Sequence, residues 1–201
     1  QQAKKYGLWL VGGTIPVAES KPRSFARCYV YNPKAEVVGY YDKIHLFDAD
    51  LASQEGNSAY RESDDFSAGE QVKTVRTELG VLGLTVCYDL RFAELFQMLS
   101  NSGAEIVTVP SAFTAVTGEA HWQVLLRARA IENQLFVLGA NMVDRCHETR
   151  GLWGGSAIID PWGNVLASLD EQPGIAVAEI DLDLIGQCRS KIPMAQHRRL
   201  I

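Results

Sequence analysis

Three side chains have the types and settings that chemistry needs: Cys87, Lys43 and Glu62. Cys87 ends the apolar run Leu82-Gly83-Leu84-Thr85-Val86 and opens the helix-like stretch Tyr88-Asp89-Leu90-Arg91-Phe92-Ala93-Glu94-Leu95-Phe96. A thiol at a strand-to-helix turn faces backbone N–H groups and a helix N-terminus. Both favour negative charge, lower the thiol pKa and stabilise an oxyanion formed on an attacked carbonyl. The same position also suits a cysteine that is only a small buried hydrophobe, and this segment alone weighs the two readings evenly.

Lys43 lies where a strand gives way to a loop, in Tyr41-Asp42-Lys43-Ile44-His45-Leu46-Phe47-Asp48, and apolar and aromatic neighbours partly desolvate it. An ammonium near a thiol favours the thiolate and neutralises charge developing on a carbonyl oxygen. Taken alone, the segment favours a surface lysine whose stem lies over Tyr41 and Phe47. Glu62, in Tyr60-Arg61-Glu62-Ser63-Asp64-Asp65, likewise reads first as solvated charge. A glutamate that reached both a lysine and a cysteine could fix the ammonium and assist proton movement.

The segment Phe113 to Trp122 follows an apolar strand, Glu105 to Val109, at its C-terminal end, the edge where ligands bind in α/β sheets. Phe113, Thr117 and His121 can therefore line a pocket. His121 also fits, and fits better than general-base duty, as a helix-start polar residue packed by Trp122.

The elements that must carry these residues follow from pattern. Gln1 to Gly7 reads as the last turn of a helix closed by a C′ glycine, followed by a strand Leu8 to Val11; domains seldom begin in mid-helix, so a preceding segment is expected. Strands Ala26 to Tyr31 and Glu36 to Tyr41 form a hairpin across Asn32-Pro33-Lys34-Ala35. A polar loop from Asp48 to Gly69 leads to strands Val72 to Thr77 and the one ending at Cys87, whose helix closes near Asn101-Ser102-Gly103. Ala120 to Gln134 carries apolar residues at helical spacing. Leu135 to Ala140, Ala157 to Asp160, Val165 to Leu169 and Ile175 to Ile180 read as strands, Pro161 to Asn164 as a hairpin turn, and Leu182 to Lys191 as a short helix. Mixed sheets covered by outer helices follow, in one domain over 1–201.

With 201 residues, nearly half of them apolar, the chain can bury a real core, and its formal charge of −5 argues against nucleic acid or an anionic membrane surface as the main partner. Cys28, Cys87, Cys146 and Cys188 lie far apart without a C-x-x-C pair, which gives no support to a zinc site or a disulfide framework. No signal-peptide pattern opens the sequence and no apolar run reaches membrane-spanning length, so a reducing, cytoplasmic setting is expected.

Taken together and in order, the lysine segment, Arg61-Glu62-Ser63 and Cys87-Tyr88-Asp89-Leu90-Arg91-Phe92 resemble the nitrilase (carbon–nitrogen hydrolase) superfamily. Thr117-Gly118-Glu119-Ala120-His121-Trp122, Arg127 to Asn133 and Ile159-Asp160-Pro161-Trp162-Gly163 extend the resemblance over nearly the whole chain, toward the branch containing omega-amidase and deaminated glutathione amidase. It implies a four-layer α-β-β-α sandwich lacking its N-terminal strand and helices, with Cys87 as nucleophile and Lys43 as stabiliser of the tetrahedral intermediate. Glu62 matches the family's second glutamate, and the Tyr88 N–H becomes an oxyanion donor. The first glutamate, the general base, is expected on a strand upstream of Gln1. The resemblance also implies a small-molecule amide substrate, no metal or organic cofactor, and a homodimer or larger assembly.

An oxo-acid amide needs a group for its carboxylate. Arg91, Arg127 and Arg129 can supply paired hydrogen bonds or act as partners of Asp89, Glu94 or Glu132. The ion-pair reading has the edge for Arg127 and Arg129, while Arg91, on the first turn after Cys87, is the pocket candidate. The leading expectation is an amidase acting on the terminal amide of a small carboxylate compound. An N-carbamoyl amidase or nitrilase is the alternative within enzymes, and a non-catalytic scaffold of the same fold is the alternative outside them.

Overall fold

Asn32 makes the turn between the second and third strands. Its Oδ1 accepts from the Lys34 and Glu36 N–H groups at 3.0 Å each, turning β2 (Phe25–Tyr31) into β3 (Val37–Asp42). The structure is a computed structural model that describes residues 1–19, 22–51, 59–144 and 151–199. β1 (Leu10–Val17) pairs antiparallel with β2 to complete a three-stranded sheet, and it follows α1 (Gln2–Tyr6), which closes on Gly7 as expected. β1 runs beyond the expected Val11, because Gly12-Gly13 mark a register shift within the strand rather than its end.

A second, six-stranded sheet has the order β13-β12-β9-β8-β7-β6. Its strands are β6 (Thr74–Thr77), β7 (Gly80–Leu84), β8 (Ile106–Ser111), β9 (Phe136–Asn141), β12 (Ala157–Ile159) and β13 (Val165–Ser168). The central three, β7, β8 and β9, are parallel, joined through α3 (Ala93–Asn101) and α5 (Gln123–Asn133), while the outer pairs are antiparallel hairpins. Asp160 builds the β12–β13 turn: its Oδ1 accepts from the N–H groups of Trp162 and Asn164 at 2.8 Å each, and Gly163 supplies the φ of 91°.

Leu95, Phe96, Leu99 and Leu126 bury one face of the large sheet, against Val107 and Val137. The opposite face, with Leu84, Ile106 and Phe136, meets Cys28, Val30 and Tyr41 of the small sheet. The layers therefore run helix, sheet, sheet, each fully buried aliphatic side chain contributing about 1.5–3 kcal/mol. Gly139, in central strand β9, lies where a Cβ would stand 2.7 Å from Leu126 Cδ1 and 2.8 Å from Trp122 Cζ2. Gly139→Ala is thus expected to lower stability by about 1–3 kcal/mol; an unchanged denaturant midpoint would show that α5 yields without cost.

Several expected elements differ. The stretch after Cys87 is a five-residue 3-10 turn, Cys87–Arg91, broken by extended backbone at Phe92 before α3 begins. The helix expected from Ala120 is regular only from Gln123, preceded by the short α4 (Ala115–Thr117) and a wider turn over Gly118–Trp122. The polar loop carries a ribbon of β4 (Asp48–Asp50) with β5 (Ala59–Arg61), then α2 (Glu62–Asp65); its residues 52–58, like Cys146, lie outside the described residues. A further ribbon pairs β10 (Val143–Asp144) with β11 (Leu152–Trp153). Residues 175–180 keep a period-2 burial alternation but form no ladder, and Ile175 and Val177 are 87% and 79% exposed. Alternation marks a strand only when a neighbour supplies the hydrogen bonds. The chain ends in α6 (Asp183–Lys191), as expected, and α7 (Met194–His197). Among the described residues, no helix is long and apolar enough to cross a membrane.

Candidate active site

The carboxyl ends of parallel strands β7, β8 and β9 open on one cavity of about 650 Å³, lined by Lys43, Glu62, Cys87, Ser111, Ala112 and Met142 among others. Cys87 follows β7 and has a φ of 50°, a left-handed conformation that a non-glycine residue adopts at a cost. The turn aims its half-buried sulfur into the cavity, where the backbone N–H of Ala112 donates to it.

Burial pushes the Cys87 thiol up from its ordinary value, and the Glu62 and Asp89 carboxylates add to that; Lys43 and the Ala112 N–H oppose it. This corrects the expectation of a lowered pKa. A five-residue turn brings only local N–H groups rather than a long helix dipole, so desolvation prevails. A thiol held protonated needs a base at the moment of attack.

Lys43 is not the surface lysine that its segment favoured. It is 4% exposed, because its N–H donates to Ala26 O at 3.0 Å and its carbonyl accepts from Gly69 N at 2.8 Å, anchoring it between β2 and the chain after α2. Beside it, Arg27 grips Asp42 through two hydrogen bonds of 2.7 and 2.9 Å. The Lys43 ammonium donates to Glu62 Oε2, which also accepts from Phe47 N at 2.6 Å. Glu62 is therefore a member of the site rather than solvated charge. Its Oε1 has no hydrogen-bond partner among the described residues.

A narrow recess beside the sulfur is lined by Phe47, Tyr88, Arg91, Phe113 and Thr117. Tyr88 packs tilted against Phe47 and edge-on to Phe92, with ring centroids 5.0 and 5.3 Å away, while its backbone N–H follows the sulfur in the same turn. Arg91 lies over the rings of Phe113 and Tyr88 at 5.2 and 5.8 Å, half-buried, and burial works against its charge. Among the described residues it meets no carboxylate; its Nη1 donates to His121 Nδ1 at 3.1 Å. Thr117 is pinned by Thr114, their hydroxyls 2.8 Å apart.

The structure thus gathers Cys87, Lys43, Glu62, Tyr88, Arg91, Phe113 and Thr117. His121 stands behind Arg91 and does not line the cavity, and Trp122, expected to pack it, is buried with its indole N–H donating to Gly155 O at 2.8 Å. Arg129 pairs with Glu132 and donates to Leu90 O, as the ion-pair reading expects, whereas Arg127 donates to the backbone carbonyl of Gly163 rather than to Asp89, Glu94 or Glu132; both are structural. Two contributors carried no sequence signal of their own. Ala112 acts through its main chain. Asn141, at the end of β9, accepts from Phe113 N at 3.0 Å and so holds the recess wall.

A match to the carbon-nitrogen hydrolase family covers residues 1–190. Over its full length the chain is 41% identical to the deaminated glutathione amidase of Yersinia enterocolitica, covering 70% of that protein. It is 45% identical over 99% of its length to that of Rattus norvegicus, of which it covers 62%. The chain therefore spans about two thirds of these relatives. The solved NitFhit protein of C. elegans superposes with a TM-score of 0.89 at 36% identity, over 98% of this chain and 48% of that one. With the mixed sheets, the cysteine turn and the match all in agreement, the chain belongs to the carbon-nitrogen hydrolase family.

Proposed function

We propose that this protein is an amidase that hydrolyses the terminal amide of a small carboxylate compound through a thioester on Cys87, releasing ammonia. The sulfur attacks the amide carbonyl, ammonia leaves, and water hydrolyses the thioester, while a glutamate moves protons at both stages. Lys43 and the Tyr88 N–H stabilise the oxyanion. An ammonium in a dry site acts on developing charge far more strongly than in water. Glu62 holds that ammonium in place. No step calls for a metal or organic cofactor.

The observation that carries this reading is the burial of Lys43 on Glu62 in the cavity that holds Cys87. A scaffold gains nothing from such a pair, whose desolvation cost offsets its attraction. Arg91 supports a carboxylate on the substrate, since a half-buried cation that meets no carboxylate among the described residues is completed by an anion. The relatives named deaminated glutathione amidase support the same class. A nucleophilic thiol works only where it stays reduced, so a cytoplasmic setting belongs to the proposal. So does a homodimer, favoured by exposed Val124 and Ile131 on α5 and Met98 on α3.

The test is a panel of deaminated glutathione, an omega-amide of an oxo acid, uncharged amides, an N-carbamoyl compound and a nitrile, scored by ammonia release. The carboxylate-bearing amides are expected to be the best substrates. Arg91→Ala should raise their KM about 10- to 100-fold, the loss of one charge-assisted contact, and leave uncharged amides nearly unchanged. Equal effects on both groups would return Arg91 to a structural role. Preference for the N-carbamoyl compound or the nitrile would select those alternatives, and no turnover of any compound would select the scaffold.

A further inference from the structure

Asp89 is fully buried, yet its carboxylate is surrounded by donors from two separate parts of the chain. Oδ2 accepts from Val86 N, immediately before the nucleophile, and from the Tyr41 hydroxyl, each at 2.8 Å. Oδ1 accepts from His45 N at 3.1 Å and from His45 Nδ1–H at 2.7 Å. Tyr41 and His45 stand two residues before and two after Lys43. The Tyr41 hydroxyl also accepts from Ile44 N at 3.2 Å, closing the bracket around the lysine. His45 is clamped from its other side by Phe92, with ring centroids 3.6 Å apart and planes 7° from parallel.

We propose that Asp89 is a positioning residue that locks the Lys43 segment to the Cys87 turn, so that ammonium and sulfur keep one mutual geometry. The inference rests on the reading of Cys87 as nucleophile and Lys43 as its cation, and it adds what sets their distance. Tyr41 serves it as a permanent donor, because burial and the Asp89 carboxylate push the phenol well above its usual range. A neutral carboxamide cannot replace the group: four N–H or O–H donors converge on two oxygens, and an amide nitrogen in either place would face donors.

The test uses Asp89→Asn and Tyr41→Phe, read by steady-state kinetics and by the pH dependence of iodoacetamide alkylation at Cys87, followed by peptide mapping. Asp89→Asn should lower kcat about 10²-fold, the scale of a misplacement near 1 Å, with KM changed less than about threefold. The alkylation midpoint gives a sign that a merely electrostatic neighbour would not. The charges acting on the sulfur are Lys43, Glu62 and Asp89, with Arg91 on the same turn. Removing the Asp89 charge alone lowers the midpoint, whereas displacing Lys43, the stronger influence, raises it. A rise is expected in Asp89→Asn, and a smaller rise in Tyr41→Phe, which keeps the charge. A fall in Asp89→Asn, or unchanged kcat and midpoint in both folded variants, would overturn the role. Should Asp89→Asn fail to fold, Tyr41→Phe decides alone. A wild-type Cys87 that is neither alkylated nor active would instead defeat the nucleophile reading on which the inference rests.

Discussion

Cys87→Ala will leave a folded protein with amide hydrolysis reduced on the order of 10⁵-fold or more, because every later step of the proposed mechanism depends on a bond to this sulfur. The fold should survive for local reasons. The turn is held by Asp89 accepting from Val86 N and by Arg129 donating to Leu90 O, neither of which involves the thiol. The Ala112 N–H loses only a weak sulfur acceptor at the cavity edge. Ammonia release by the purified variant, with its circular dichroism and thermal midpoint as controls, provides the check. Turnover of several amides near the wild-type rate would remove Cys87 from the mechanism.

Lys43→Arg should be nearly as damaging as Lys43→Ala, each lowering kcat by about 10²–10³-fold, the usual effect of removing an oxyanion donor. A planar guanidinium is wider than an ammonium and delivers its hydrogens in a fixed fork. In a site 4% exposed, bounded by Glu62 and by backbone bonds to Ala26 and Gly69, it cannot aim one donor at a single oxygen. The alanine variant carries a second cost, since the partly buried Glu62 carboxylate loses its cation. The arginine variant retains a cation, so comparing the two separates geometry from charge. An arginine variant with most of its turnover would show that positive charge alone suffices.

The parts of this site differ in how far sequence reveals them. Cys87 was legible because a strand run, a turn and a helix-like stretch are local patterns, and the mixed sheets followed from strand runs alternating with helical ones in the middle of the chain. Its raised thiol pKa was not, since that comes from burial in the folded cavity, to which the distant Glu62 carboxylate adds and which Lys43 and the Ala112 N–H only partly oppose. Lys43 looked exposed because its burial is made by Ala26 and Gly69, partners that only the folded sheet brings to it. Asp89 reads in the sequence only as an ion-pair partner for the nearby arginines, for the same reason: its contacts to Tyr41 and His45 span more than forty positions. Residues 175–180 failed in the other direction: their pattern was right for a strand, but pairing is a property of neighbours.

The backbone of Cys87 has an implication for how this turn came to hold a cysteine. At φ 50° a side-chain-bearing residue is about 1–2 kcal/mol less stable than in its ordinary conformations, and glycine escapes most of that penalty. Selection for folding alone would place glycine at this corner, or an asparagine that tolerates the left-handed region. A sulfur maintained there is a persistent load on stability, which its role as the proposed nucleophile would offset. The twist that carries the load also turns the thiol toward the strand ends, so a glycine that relaxed the corner would at the same time remove the proposed nucleophile.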